Sequence, residues 1–187
     1  MTATPEIETT RLVLKAVQIQ DAPDIYNYAR NPNVLRFTMG TTPFEFAETE
    51  AFVRGLVNKP DGAFAWAIRQ KTTSSIIGVV EFGLRGRSTA SVDYALSEAH
   101  WGQGIAAEAV RALLDWAYQS LPVFDRVQTC AMTANPASTR VQQKCGMKLL
   151  RCEDQNWAKF DQPVEVAVCA VTREEWQAAK KSIETTS

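Results

Sequence analysis

The chain reads HWGQGIAAEA from His100 to Ala109, directly after a strand-like run from Ser91 to Leu96. Two glycines at the start of a helix leave several backbone N–H groups without a covering side chain. These groups point along the helix axis, at the end where the helix dipole is positive. The stretch therefore predicts a site for a phosphate or pyrophosphate group at the carboxyl end of a strand.

A second helix opening follows at Asn135-Pro136-Ala137-Ser138, and its helix ends at Lys144-Cys145-Gly146-Met147. Asn135 is a residue type that caps helix N-termini, and proline suits the first helical turn. Gly146 is suited to ending the helix. Together the two openings predict a protein that holds a phosphorylated cofactor.

Composition narrows the class of protein. The chain has 187 residues, 45% of them hydrophobic and 22% charged, which predicts one globular domain spanning 1–187. The net charge of −1 and the scattered Lys and Arg argue against a nucleic-acid binder. The chain has no run of about 18 apolar residues and its first residues lack a signal-peptide core, so we expect no membrane span and a cytoplasmic location.

The cysteines do not predict a metal or redox site. Cys130, Cys145, Cys152 and Cys169 form no CxxC pair, and His100 is the single histidine that could join them. We therefore expect no metal, and four free thiols in a reducing compartment.

Hydrophobic periodicity predicts a mixed α/β chain. Short polar turns indicate an antiparallel meander, and the crossover from Thr89 to Met132 places two strands in parallel. Seven strands are predicted, at Thr9–Val17, Ala63–Arg69, Ser75–Leu84, Thr89–Leu96, Arg126–Met132, Met147–Cys152 and Val164–Val171. Helices are predicted at 21–30, 44–57, 102–120 and 136–144, with a last helix after a capping box at 172–175.

The glycine turn also fits a dinucleotide-binding fingerprint, since Gly102, Gly104 and Ala107 satisfy G-x-G-x-x-G/A. That motif requires an acidic residue at the end of the following strand to bind a ribose hydroxyl. The strand Arg126–Met132 is followed by Thr-Ala and carries no acid there. An ordinary Rossmann half also begins with its glycine turn, whereas here an antiparallel meander precedes the turn. A nicotinamide cofactor is therefore disfavoured.

Four stretches resemble the GNAT acyltransferase superfamily, in particular the branch of ribosomal-protein N-terminal (alanine) acetyltransferases. They are the opening strand ETTRLVL at 8–14, WGQGIAAEA at 101–109, NPAS at 135–138 and KCGM at 144–147. The resemblance implies the GNAT fold, an α/β architecture with one mixed, mostly antiparallel seven-stranded sheet. Helices would cover both faces, and a central V-shaped splay would admit the thioester.

The family motif Q/R-x-x-G-x-G/A falls on residues 101–106, with Trp101 replacing the usual Gln or Arg. The resemblance implies that amides from Gln103 to Ala107 hold the pyrophosphate of acetyl-CoA and that the strand end at 94–96 pairs with its pantetheine. Trp101 could instead simply pack under the turn. The implied cofactor-binding residues are Tyr94, Ala95, Leu96, Trp101, Gly102, Gln103, Gly104, Ile105, Ala106, Ala107, Asn135, Ser138 and Lys144.

In the second opening, the resemblance implies that Asn135 also bonds the pantetheine and that Ser138 protonates the leaving thiolate. Capping alone and a solvated helix face remain open for these two residues. Many relatives have Tyr seven positions after that Asn, whereas this chain has Gln142, which cannot be an acid. The proton would then come from Ser138 or water. Lys144, like Arg140, could reach the 3′-phosphate or simply face solvent.

The implied reaction is attack of a neutral amine on the thioester. A lysine-like amine with a pKa near 10.4 costs about 4.6 kcal/mol to neutralise at pH 7, whereas an α-amine near 7.8 costs only about 1 kcal/mol. Glu81 is the first candidate for the base, and a backbone N–H near Leu96 would hold the carbonyl oxygen. The other candidate carboxylates are Asp93, Glu153, Asp154 and Glu165, and His100 is not expected to be catalytic.

We therefore expect an N-acetyltransferase that moves acetyl from acetyl-CoA to a primary amine in a ternary complex. The acceptor would be a protein N-terminal α-amine or a small-molecule amine, and the protein a monomer or homodimer. The alternative is a non-catalytic acyl-CoA-binding module. The first two helices would wall the acceptor pocket, bordered by Arg36, Phe37, Met39 and Phe44.

Overall fold

Eight strands and six helices are present in the computed structural model, which describes residues 3–38 and 45–184. The strands are β1 (Ile7–Glu8), β2 (Leu12–Ala16), β3 (Ala63–Gln70), β4 (Ile76–Arg85), β5 (Thr89–Leu96), β6 (Arg126–Met132), β7 (Lys148–Gln155) and β8 (Val164–Thr172). The helices are α1 (Ala22–Ala29), α2 (Pro32–Leu35), α3 (Phe46–Val57), α4 (Ile105–Ser120), α5 (Pro136–Lys144) and α6 (Arg173–Glu184). Within these ranges no helix combines the length and apolarity needed to cross a membrane.

The strands form one sheet in the order β1-β2-β3-β4-β5-β6-β8-β7. The prediction of seven strands was wrong by one, because β1 has only two residues and is too short to show an alternating pattern. It pairs antiparallel with β2, with Ile7 opposite Leu14. The predicted meander and the mixed, mostly antiparallel sheet are confirmed.

The parallel contact between β5 and β6 is short. Only three residue pairs join the two strands, from Thr89 opposite Arg126 to Ser91 opposite Gln128. β5 continues to Leu96 and β6 to Met132 without further pairing between them. The sheet therefore opens as a V at the carboxyl ends of these two strands, as predicted.

Helices cover both faces of the sheet. Along β3, Phe64, Trp66 and Ile68 pack on the side of α4, whereas Ala65 and Ala67 pack on the side of α1 and α3. This alternation follows from the two-residue period of a strand. The indole of Trp116 on α4 lies edge-on to Phe64 and Trp66, with centroids 5.0 and 5.1 Å apart. Each such buried side chain stabilises the fold by about 1.5–3 kcal/mol.

Helix α4 begins at Ile105, three residues later than predicted. Gly102 and Gly104 both have φ +75°, in the left-handed region that a right-handed helix does not contain. They form the turn that precedes the helix. The predicted start of the second long helix, Phe44, lies outside the described residues, and α3 begins at Phe46 after a capping box between Glu45 and Glu48.

One core position carries an unexpected polar side chain. Gln142 on α5 is 1% exposed, and neither its Nε2 nor its Oε1 has a hydrogen-bond partner in the described part of the chain. The resemblance described above implies a tyrosine acid at this position in many relatives. Here Gln142 is buried away from the groove described below, so it cannot act on a substrate. A buried amide without partners destabilises the folded state by about 1–3 kcal/mol for each group left unpaired.

We expect Gln142→Met to stabilise the protein, because methionine keeps the unbranched shape and removes the unpaired amide. The gain should be about 1 kcal/mol or more, which for a chain of this size raises Tm by roughly 2–4 °C. Thermal unfolding followed by circular dichroism measures it. The control is Gln143→Met on the exposed neighbouring position, where little change is expected. A lower Tm for Gln142→Met would mean that the amide has a partner.

Candidate active site

The splay between β5 and β6 opens into a groove of about 730 Å³. Helices α1 and α2 line one side, and the glycine turn with the starts of α4 and α5 lines the other. Twelve of the predicted cofactor-binding residues line it, together with Glu81: Tyr94, Ala95, Leu96, Trp101, Gly102, Gly104, Ile105, Ala106, Ala107, Asn135, Ser138 and Lys144. Two separate predictions, a phosphate-holding turn and a carboxylate base, therefore fall in one cavity.

The glycine turn is held in shape by its own side chains. The indole Nε1 of Trp101 donates to the Leu96 carbonyl at 2.8 Å, and Nε2 of Gln103 donates to the Ala99 carbonyl at 3.0 Å. Gln103 thus folds back onto the chain, and its side chain is not among those that line the groove. Because α4 begins at Ile105, the N–H groups of its first turn lack intrahelical acceptors.

Two hydroxyl groups meet at the start of α5. Asn135 Oδ1 accepts from the Ser138 N–H at 3.2 Å, so Asn135 caps the helix as expected. Ser138 Oγ lies 2.7 Å from the Tyr94 hydroxyl, and that hydroxyl also donates to the Ser138 carbonyl at 3.3 Å. Burial raises the pKa of Tyr94 to about 12, against the opposing effect of the hydrogen bond from Ser138. Tyr94 therefore carries its proton at neutral pH.

Sequence reasoning assigned only a backbone role to Tyr94 and missed its phenol. The two-residue alternation of side chains along a strand could have indicated which way its ring points. Tyr94 lies two residues after buried Val92, so its ring faces the α4 and α5 side of the sheet. What the pattern could not give is the register between β5 and α5 that brings Tyr94 to Ser138.

Two carboxylates lie on the opposite face of the sheet. Glu81 on β4 and Asp93 on β5 are directly opposite each other in register, on the α1 and α3 side. Lys59 Nζ lies 2.5 Å from Glu81 Oε2, and both side chains are partly buried. Burial, and then the negative charge of Glu81, raises the pKa of Asp93. Lys59 was not singled out from sequence, because an ion pair with a residue 22 positions away leaves no local pattern.

Several other predicted residues fall outside the groove or contribute differently. Glu153 is held by Arg151 and Gln155 on β7, and neither it nor Asp154 nor Glu165 is among the groove-lining residues. His100 and Arg140 do line the groove. Of the residues expected to border the acceptor pocket, Phe37 lines the groove and Arg36 does not. Met39 and Phe44 lie outside the described residues.

A lysine from the loop between β7 and β8 binds the end of α2 beside the groove. Lys159 Nζ donates to the Leu35 carbonyl at 2.5 Å and to the Arg36 carbonyl at 3.3 Å, at the end of α2. Partial burial lowers the pKa of Lys159. Leu35, Phe37, Phe52 and Trp157 are among the apolar residues that line the groove. Lys159 was not singled out from sequence, since its partners are main-chain carbonyls that any residue provides.

Comparison with known proteins decides what this arrangement is. A family model described as "Acetyltransferase (GNAT) domain" matches residues 11–148. The chain belongs to the GNAT acetyltransferase family. It is 28% identical over 138 residues, 71% of this chain and 76% of the relative, to the "Uncharacterized N-acetyltransferase p20" of Bacillus licheniformis.

Solved structures share the fold. A spermidine N-acetyltransferase from Vibrio cholerae, in complex with CoA and spermine, superposes with a TM-score of 0.77 at 16% identity and covers 90% of this chain and 99% of that one. The ribosomal L7/L12 alpha-N-protein acetyltransferase RimL superposes with a TM-score of 0.80 at 21% identity, covering 91% and 96%. The GNAT fold is confirmed, whereas the ribosomal-protein branch stays a prediction.

The family makes this GNAT protein an acyltransferase enzyme rather than the non-catalytic binding module considered from its sequence. The groove contains two clusters of polar side chains, one on each face of the sheet. The Tyr94–Ser138 hydroxyl pair faces the glycine-turn side, and the Glu81–Asp93 carboxylates face the apolar wall. A single groove through the splay joins the two clusters.

We expect Asp93→Asn to stabilise the protein at neutral pH more than at acidic pH. The folded-state pKa of Asp93 is raised, so the folded chain binds that proton more tightly than the unfolded chain. Stability is therefore lost as pH rises from the ordinary carboxyl pKa of about 3.9 through the raised value. The Tm difference between variant and wild type, measured from pH 4 to pH 8, should grow with pH. Asp61→Asn, an exposed turn position, is the control, and a difference independent of pH would contradict the argument.

Proposed function

We propose that this protein transfers an acetyl group from acetyl-CoA to a primary amine, directly between the two bound substrates. The observation that carries the proposal is the single groove that connects the glycine turn to the Glu81–Asp93 carboxylates. A donor held at the turn and an amine held at the acids would meet inside the splay. Direct transfer needs that proximity, because holding both reactants in one site removes much of the entropic barrier.

The donor side fits the shape and charge of acetyl-CoA. Amide groups from Gln103 to Ala107 would bind the diphosphate at the positive end of α4, where Gly102 and Gly104 place no side chain in the way. The β5 edge freed by the splay, at residues 94–96, would pair with the pantetheine arm. Lys144 and Arg140, both lining the groove, would meet the 3′-phosphate.

The acidic side fits an amine that arrives as an ammonium ion. Glu81 and Asp93 carry two carboxylates and Lys59 one ammonium, so the cluster has a small excess of negative charge. Such an excess attracts one cation, and Glu81 would take its proton, directly or through water. A polyamine or aminoglycoside would call for more negative charge than this cluster offers. The arrangement therefore favours an acceptor with a single amine, such as a protein N-terminal α-amine.

The hydroxyl pair would serve the leaving group. Ser138 Oγ lies on the groove and is hydrogen-bonded to a Tyr94 phenol that keeps its proton at neutral pH. Ser138 would donate its proton to the departing sulfur and recover one from Tyr94, and water in the groove would return a proton to the Tyr94 phenol. With this assignment Ser138 is the general acid for the leaving thiolate, a role that Gln142 cannot fill.

A panel of acceptors tests the proposal. Purified protein is mixed with acetyl-CoA and N-terminal peptides, polyamines or aminoglycosides, and release of the CoA thiol is measured. We expect the peptides to give the highest kcat/KM. Turnover only with polyamines would contradict the α-amine acceptor, and no turnover with any amine would contradict the transferase proposal.

We expect Glu81→Gln to lower kcat/KM for the amine by about 10²-fold or more at pH 7, the usual contribution of a general base. The loss should shrink at higher pH, where the free amine is already neutral, and KM for acetyl-CoA should stay within twofold. Initial rates from pH 6 to pH 9 measure this. Glu153→Gln, a carboxylate outside the groove, is the matched control and should retain activity. A pH-independent loss in Glu81→Gln would point to a structural role.

We expect Gly104→Ala to weaken CoA binding about tenfold, because alanine resists a φ of +75° and the turn must shift. Gly86→Ala is a matched control for the backbone conformation, since Gly86 has φ +72° and lies in the distant β4–β5 turn. An added Cβ would meet nothing within 4 Å at Gly86 and only Arg11 Nη2, at an ordinary contact distance of 3.7 Å, at Gly104. Both variants should lose about 1–2 kcal/mol of stability. Calorimetric titration with CoA separates them, and an equal affinity in the two variants would count against the turn as the diphosphate site.

A further inference from the structure

Arg11 and Glu108 join the first long strand to the glycine turn. Arg11 Nε donates to Glu108 Oε2 at 2.6 Å, and the Arg11 N–H donates to Glu108 Oε1 at 3.0 Å. The Thr9 hydroxyl donates to the same Oε1 at 2.6 Å. Arg11 Nη1 then reaches the Gln103 carbonyl at 3.0 Å. One guanidinium therefore holds both a carboxylate in the first turn of α4 and a main-chain oxygen of the turn itself.

The contact with Gln103 fixes the direction of a peptide plane. A trans peptide is planar, so the Gly104 N–H points away from the Gln103 carbonyl. Because Arg11 binds that carbonyl, the Gly104 N–H is turned to the side opposite Arg11. A peptide that adjoins a glycine flips easily, since glycine accepts φ of either sign. Arg11 selects one of the two orientations.

The contact with Glu108 removes a competing anion. A carboxylate in the first turn of α4 would otherwise be attracted to the same N–H groups that a diphosphate needs. Arg11 and Thr9, in the connection between β1 and β2, hold it away from those N–H groups instead. Burial alone would raise the pKa of Glu108, but the hydrogen bonds from Thr9 and Arg11 outweigh it and lower the pKa. Glu108 is therefore a fixed, paired anion at neutral pH.

We infer that Arg11 is a positioning residue for the acetyl donor: its guanidinium orients the Gln103–Gly104 peptide and holds Glu108 away, so that the α4 N-terminus can bind the diphosphate. The inference rests on the proposed acetyl-CoA donor. It also gives a role to the opening segment ETTRLVL, which lies far from the turn in sequence and which the proposed chemistry does not otherwise use.

The test uses two donors that differ in the group Arg11 acts on. Acetyl-pantetheine carries the same thioester as acetyl-CoA but has no diphosphate. In Arg11→Met we expect Kd for CoA, and KM for acetyl-CoA, to rise about tenfold, equivalent to about 1.4 kcal/mol. Turnover of acetyl-pantetheine with the best amine from the acceptor panel should stay within twofold of wild type. Normal turnover of that donor also shows that the variant is folded.

Two further variants make the result specific. Lys15→Met removes a cation of β2, four residues after Arg11. Its ion pair with Glu6 is 3.2 Å long and does not touch the turn, so this variant should behave as wild type. Arg11→Lys keeps the charge but replaces the planar guanidinium with a single ammonium group, which cannot bind Glu108 and the Gln103 carbonyl in the same geometry. The affinity of this variant for CoA should therefore be lower than that of wild type. Wild-type affinity in Arg11→Lys would show that charge alone suffices and would overturn the positioning role.

The outcomes separate this inference from the function on which it rests. Wild-type protein that binds no CoA refutes the proposed donor. Wild-type protein that binds CoA, with Arg11→Met binding it equally well, refutes only the role of Arg11. Equal losses with acetyl-CoA and acetyl-pantetheine would likewise refute it, because they would show general damage to the site.

Discussion

The short pairing between β5 and β6 is the constraint from which the functional geometry follows. Three residue pairs hold the two strands together at one end, and the rest of each strand is left without its neighbour. In most sheets an unpaired edge strand is covered by another segment or disrupted by charged residues, proline or a bulge, because its free N–H and C=O groups can pair with other chains. Here the unpaired ends of β5 and β6 lie inside the molecule, near the starts of α4 and α5, and the space between them is the groove.

The splay also explains why two unlike chemical environments meet. In an intact sheet the Tyr94 hydroxyl and the Glu81 carboxylate would be separated by the backbone, since they lie on opposite faces. Opening the sheet lets a cavity pass from one face to the other. The hydrogen-bonded hydroxyl pair and the carboxylate pair with its Lys59 partner therefore line one groove from opposite faces of the sheet.

Sequence patterns predicted the parts that depend on local chemistry. The meander, the crossover helix and the two helix openings each have a signal within a few residues, as in the glycines at 102 and 104 and the Asn135 cap. The parts that sequence missed depend on pairs distant along the chain: Lys59 with Glu81, Tyr94 with Ser138, and Arg11 with Glu108. Arg11 stood in a recognised segment, yet nothing local connects it to a turn 92 residues away. β1 was missed because two residues show no period.

The hydrogen bonds of Lys159 to the end of α2 stabilise one wall of the groove independently of the glycine turn. Lys159 ties a loop after β7 to the carbonyls of Leu35 and Arg36, so this wall of the groove is assembled from segments that are separate from the glycine turn. Substitutions at Phe37, Phe52 or Trp157 would reshape that wall without a direct change to the glycine turn. Under the proposed function, a lineage built this way can change the amines it modifies while keeping the same acyl donor.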